Sequence, residues 1–141
     1  MELREIAARL NEPCVRGLLG LAVYPDPVRL DAACARYQSR GALRLLGVER
    51  DGGVIGCVGF EPDGADGAIV HHLAVQEHEQ RRGIGRSLIT GLIAREGFRR
   101  LELETDADTI EFYERCGFAV TSLGEKYPGT ERFRCVWQAG G

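Results

Sequence analysis

The chain has little of what marks a membrane, secreted or nucleic-acid-binding protein. None of its 141 residues fall in an apolar run approaching the roughly 18 that a membrane span needs. The first residues, Met1-Glu2-Leu3-Arg4-Glu5-Ile6, mix charge with apolar side chains and lack the continuous apolar core of a secretory leader. The five cysteines (Cys14, Cys34, Cys57, Cys116, Cys135) are odd in number and widely spaced, with no C-x-x-C pair. That spacing argues against a disulfide framework and a structural zinc site, so no metal is expected. Each cysteine sits among apolar neighbours and reads as a small buried hydrophobe in a reduced, cytoplasmic setting. Excess charge is small as well: 18 basic against 21 acidic residues, net −3. Such a balance gives no reason to expect nucleic acid or an anionic membrane as partner. Repeats and low-complexity stretches are also lacking.

What is present is the composition of one ordinary globular domain, 44% apolar and 28% charged, over residues 1–141. Residues 2–8 are compatible with a short first strand. Asn11 before Glu12-Pro13 reads as an N-cap followed by proline in a first helical turn, with Val15, Leu18, Leu19 and Ala22 at helical spacing. A second helix opens near Asp26-Pro27, carries Val28, Leu30, Ala33, Cys34 and Tyr37, and stops near Gly41. The period then changes. Residues 42–49 and 54–60 read as two strands joined by a turn at Asp51-Gly52-Gly53. Residues 61–67 read as a loop, and 68–75 as a central strand covered on both faces. A helix with Ile84, Leu88 and Leu92 at its centre starts around Arg82 and is capped by Gly97. A strand at 101–104, a capping box at Thr105-Asp106-Ala107-Asp108, and a helix to about Cys116 follow. Strands at 118–123 and 133–138 close the chain across a charged loop, Gly124 to Arg132. The sum is an α+β, or mixed α/β, layer with a mostly antiparallel sheet.

The chemistry concentrates where the strand at 68–75 passes through a turn, Gln80-Arg81-Arg82-Gly83-Ile84-Gly85-Arg86-Ser87, into a helix. The first turn of a helix presents unpaired N–H groups and partial positive charge. Glycine lets an anion approach that backbone, and three arginines add charge at its rim. The P-loop pattern is absent, and Gly83-Ile84-Gly85 is followed by Leu88 where a dinucleotide fingerprint needs a third glycine. On the residues alone two readings stay open: a phosphate cradle, or a glycine-rich turn that starts an ordinary amphipathic helix.

Leu73-Ala74-Val75 followed by Gln80-Arg81-Arg82-Gly83-Ile84-Gly85 resembles the acetyl-CoA signature of the GCN5-related N-acetyltransferase (GNAT) superfamily. Phe112-Tyr113-Glu114-Arg115-Cys116-Gly117-Phe118 resembles that family's second motif. The likeness runs from about residue 42 to 138. It implies a mixed, mostly antiparallel sheet of six or seven strands flanked by helices, in which two central parallel strands splay apart. It further implies acetyl-CoA as acetyl donor, its pantetheine arm on the backbone of Leu73, Ala74 and Val75 and its pyrophosphate on Arg81, Arg82, Gly83, Ile84, Gly85, Arg86 and Ser87. The Val75 N–H would polarise the thioester carbonyl. The acceptor would be a small-molecule or peptide amine, and the likeness allows a homodimer without requiring one.

Direct attack by an amine needs a base and a proton for the departing thiolate. Tyr113 matches the family tyrosine that supplies the proton. His71 stands where some members place a histidine near the amine, and histidine chemistry suits a base or a relay to one near neutrality; His72, a glutamate or a well-placed water are the alternatives. The two histidines are adjacent on a strand and so are expected on opposite faces, His71 with Leu73 and Val75. Asp106 stands where the family often has asparagine and lacks its N–H donors. A non-catalytic acyl-CoA-binding or sensor domain, and a structural domain that binds no coenzyme, are the competing functions.

Overall fold

Period-2 runs after residue 42 and helical runs before it lead to a layered arrangement. A computed structural model describes residues 2–39 and 41–140. Among them the elements are β1 (Arg4–Glu5), α1 (Pro13–Gly20), α2 (Pro27–Gln38), β2 (Arg44–Arg50), β3 (Gly53–Asp63), β4 (Gly67–Val75), α3 (Ile84–Glu96), β5 (Arg100–Asp106), α4 (Ile110–Arg115), β6 (Ala119–Tyr127) and β7 (Thr130–Gln138). The strands form one seven-stranded sheet in the order β1-β2-β3-β4-β5-β7-β6. Every neighbouring pair is antiparallel except β4 with β5.

Two cores lie on opposite faces of that sheet. Ile84, Leu88, Ile89 and Leu92 of α3 and Tyr113 of α4 pack with Val58, Phe60, Val70, Leu101 and Cys135 on one side. Val15, Leu18 and Leu19 of α1 and Ala33, Cys34 and Tyr37 of α2 pack with Leu45, Cys57 and Ala74 on the other. A leucine as fully buried as Leu18 or Leu88 contributes roughly 2–3 kcal/mol by leaving water. Period and burial agree here: i, i+4 and i+8 of α3 face the sheet, and its C-terminus ends on left-handed Gly97, whose N–H donates to the Ile93 carbonyl at 2.8 Å.

Several sequence expectations change. The N-cap of α1 is Glu12, not Asn11, because proline at the first helical position sets the boundary. Val28 is 74% exposed, because it falls off the helix face that Leu30, Ala33, Cys34 and Tyr37 turn to the core. Helix α3 starts at Ile84 rather than Arg82, because Arg81 and Gly83 both have positive φ. Asp106, not Thr105, caps the turn into α4, accepting from the Asp108 N–H at 3.1 Å. The stretch 124–132 is not a loop: β6 and β7 pair out to Tyr127 and Thr130, leaving a tight turn at Pro128 and Gly129. The charged residues there alternate along an exposed ribbon. Cys14 is exposed and Cys116 half-buried, so only Cys34, Cys57 and Cys135 are buried hydrophobes.

Candidate functional site

Strand β4 sits between unlike neighbours. With β3 it keeps register from Gly67 opposite Asp63 to Val75 opposite Gly56. With β5 it is paired only at Gly67, Ala68 and Ile69, opposite Arg100, Leu101 and Glu102. Beyond Ile69 the two parallel strands part, as the resemblance implies, while Ala74 on one face and Leu73 and Val75 on the other still pack against the cores. The Gln76 N–H donates to Ile55 of β3 at 2.9 Å. Backbone groups alternate along a strand, so those of Ala74 turn to β3 and those of Leu73 and Val75 turn into the gap. Gln80 reaches back over this opening, and its side-chain amide donates to the Val75 carbonyl at 3.1 Å.

The turn that follows is held from beneath by a buried carboxylate. Glu79, 6% exposed, pairs with Arg50 at 2.5 Å and with Arg82 at 3.6 Å. Arg81, Arg82, Arg86 and Ser87 are exposed around the start of α3. The first helical bond there is Ser87 N–H to Gly83 carbonyl at 3.0 Å, so the N–H groups of Ile84, Gly85 and Arg86 have no helical partner. Gly83 (φ 79°) opens onto empty space, as an approaching anion requires. Gly85 serves differently: a Cβ there would meet the Phe112 ring at 3.0 Å. It seats α4 against α3 and so ties the two motifs together. Ile84 is buried beneath the turn and anchors it through its side chain. This combination of unpaired amides, open space and arginines fits a pyrophosphate.

Past the end of the β4–β5 pairing lies a cleft of about 470 Å³. Its walls include Leu21 and Tyr24 from the segment after α1, the histidines of β4, and Asp106, Tyr113 and Arg132. Tyr113 is 8% exposed, wedged edge-on between Phe112 and Phe118 with ring centroids 5.0 and 5.4 Å away. Burial, helped by the nearby Cys135 and Cys116, pushes its phenol above the ordinary range, so it stays protonated. Among the described residues its hydroxyl has no hydrogen-bond partner, and no buried side-chain oxygen or nitrogen lacks one, so this hydroxyl reaches open space.

The histidines do not take opposite faces. The register of β4 on β3 slips between Val70 (opposite Phe60) and His72 (opposite Gly59), leaving His71 as the extra residue of a β-bulge. Val70 and Leu73, three apart, both pack on the α3 side. Both histidines consequently face the α2 side. His71 is exposed and bonds Glu61 through Nε2 at 3.1 Å. His72 is half-buried and bonds the Tyr37 hydroxyl through Nδ1 at 2.5 Å. Burial, with His71 and Arg36 adding positive charge nearby, pushes His72 down to about 4.

Glu104 beside the cleft is bonded by Lys126 at 2.7 Å and Arg132 at 3.1 Å, which holds its carboxyl below the usual range. Part of the charged 124–132 stretch reaches the site, from strands rather than from a loop. Sequence reasoning missed Tyr37, which looks like any core residue at helical spacing, and Glu79 with Arg50, which meet only through the fold. Gln80 had a signal in its place within the motif.

The sequence matches the family model of the acetyltransferase (GNAT) domain over residues 42–120. No curated protein matches the chain. Among solved structures, a protein assigned to the GNAT family from Desulfovibrio desulfuricans aligns with a TM-score of 0.80 at 23% identity, covering 96% of this chain and 97% of its own. A GNAT family acetyltransferase from Elizabethkingia anophelis, with acetyl-CoA bound, aligns at 0.71 and 19% identity over 96% of each chain. A spermidine N-acetyltransferase from Vibrio cholerae aligns at 0.72 and 17% identity, over 98% of this chain and 95% of its own. At such identities the likeness is one of fold.

Proposed function

Because this chain belongs to the GNAT acetyltransferase family, we propose that it is an N-acetyltransferase that passes the acetyl group of acetyl-CoA to the primary amine of a small-molecule or peptide acceptor bound beside it. Bound acetyl-CoA supplies an acetyl group activated as a thioester. One observation carries the reading: past the β4–β5 pairing, the backbone of Leu73 and the N–H of Val75 have no strand partner, and they lie on the chain between the open N-terminus of α3 and the cleft that Tyr113 lines with a free hydroxyl. The acetyl-CoA-bound relative and the spermidine-acetylating one support the choice of donor and of an amine acceptor.

In this reading Arg81, Arg82, Arg86 and Ser87 join the amides of residues 83–86 in binding the pyrophosphate. Leu73 and Val75 hold the amide-bearing arm, and Ala74 keeps β4 fastened to β3. The Val75 N–H points at the carbonyl that must be polarised. Glu61 accepts from His71 Nε2–H, which leaves the lone pair on His71 Nδ1 to take the amine proton. Tyr113 keeps a proton on its Oη for the departing sulfur.

A thermal-shift comparison of acetyl-CoA, CoA, ATP and NAD tests the site. At about 100 times its Kd a ligand stabilises the native state by roughly 2.7 kcal/mol, a rise of several degrees for a domain of this size. The expected result is a rise with acetyl-CoA and CoA and little with the others; no rise with any of them rejects the reading. Thiol release across an amine panel then separates an enzyme from a non-catalytic coenzyme-binding domain.

A further inference from the structure

The bulge in β4 places two imidazoles side by side, and their partners prepare them for opposite tasks. His71 bonds a carboxylate, which can only accept. His72 bonds a phenol, and that phenol has no other partner among the described residues. Tyr37 is 3% exposed, and burial raises its pKa, so its O–H is present and must donate. It donates to His72 Nδ1, which fixes the proton of that ring on Nε2. His72 Nε2 has no partner among the described residues and, because no buried side-chain nitrogen lacks one, it is open to the cleft that His72 lines. The arrangement is built in from both sides. A Cβ on Gly59, the residue opposite His72, would fall on the Tyr37 hydroxyl, so only glycine there lets the phenol reach the imidazole. The rings of Tyr37 and His72 meet edge-on, 5.5 Å between centroids. None of residues 80–87 lines this cleft, so the donor faces the acceptor's side of the site rather than the phosphate turn.

We propose that His72 is an acceptor-recognition residue: an imidazole locked by Tyr37 so that its Nε2–H projects into the cleft and donates a hydrogen bond to an oxygen that the acceptor carries near its amine. This rests on the acetyltransferase reading and narrows it to amines bearing a neighbouring carbonyl or hydroxyl, as in α-amino amides and amino alcohols. With its Nε2 already protonated, His72 is not the base. It selects and orients the amine whose proton His71 takes.

The lock is tested first on the protein alone, by ¹⁵N spectra of labelled histidine assigned with His72→Gln. The expected signal is a bare Nδ1 and a protonated Nε2, unchanged between about pH 6 and 8. Tyr37→Phe should release it to a mixture of tautomers that titrates at higher pH. A ring protonated on Nδ1, or one that titrates in that window in the wild type, overturns the proposal. With acetyl-CoA bound, glycinamide should perturb the Nε2–H signal and propylamine should not. Equal perturbation by both probes, by neither, or by acetyl-CoA alone would each refute it. In turnover, His72→Leu should raise KM for glycinamide about tenfold, the worth of one hydrogen bond, with kcat nearly unchanged. His72→Gln, which keeps an N–H near the same place, should restore most of that. Equal loss of kcat in both variants would make His72 a base and sink the idea. A chain that shows the locked tautomer but no stabilisation by acetyl-CoA fails the acetyltransferase reading instead.

Discussion

The two edges of β4 differ in a way that explains where chemistry sits. Against β3 the strand is paired along its length, interrupted by one bulge, and Ala74 is buried behind it. Against β5 it is paired for three residues and then released. The closed edge spends its backbone polarity on structure, and its side chains are locked by contacts such as Tyr37 with His72. The open edge leaves backbone donors and acceptors unsatisfied by protein, which is tolerable only where water or a ligand completes them. Rigidity on one side is what lets the other stay unpaired without the strand drifting.

Substitutions on the two sides should therefore fail differently. The largest effect expected is Tyr113→Phe on the open side. It should lower kcat by about 100-fold or more yet leave the melting temperature nearly unchanged, because the hydroxyl it removes bonds no protein group. Thiol release and a thermal melt together check this, and a normal kcat would end the acid assignment. Next comes Gly59→Ala on the closed side. The added methyl displaces the Tyr37 hydroxyl, which overpacks the core at a cost of about 3 kcal/mol, read as a fall in urea midpoint. A stability loss no larger than that of an ordinary surface change would show that the closed edge is softer than its contacts imply.

The third is a pH effect. His72 has a folded pKa pushed down to about 4, below the 6.5 of a free histidine. The unfolded chain binds the proton first, so this contribution is fully present above about pH 6.5 and is lost as pH falls toward 4. It amounts to up to roughly 2 kcal/mol by pH 5, reduced by the ring's partial exposure. His72→Gln should flatten the acid side of the stability profile; equal slopes in both proteins would contradict the depressed pKa. The smallest effect expected is Arg81→Gly. It relieves a positive φ of 66°, gaining under about 1 kcal/mol while making acetyl-CoA binding weaker and less salt-sensitive. A calorimetric titration at two ionic strengths separates those consequences.

The parts of the molecule that are local in sequence were legible there. The hairpin at Asp51 and Gly52, the buried stripe of α3, its Gly97 cap and the glycine turn before it each depend on residues within one or two turns of each other. The splay of β4 from β5 was legible only through the resemblance, since no residue in either strand announces it. The cleft was mostly hidden. Its walls come from positions as far apart as Leu21, His72, Tyr113 and Arg132. The facing of the histidines failed for a specific reason: strict alternation assumes an unbroken ladder, and one extra residue in β4 reverses it. The 124–132 stretch was misread because charge, glycine and proline suggest a loop, whereas an edge ribbon with water on both faces tolerates the same composition.

The contact between Gly85 and Phe112 has a consequence for how such a protein can change over time. The turn proposed to hold the coenzyme and the helix that carries Tyr113 touch at a point with no slack. A lineage cannot adjust one grip without shifting the other. Drift at position 85 would surface as altered turnover, and repacking at 112 as altered coenzyme affinity. The walls formed by Leu21 and Tyr24 carry no such tether, so under the proposed function acceptor preference can change there while the two motifs stay as they are.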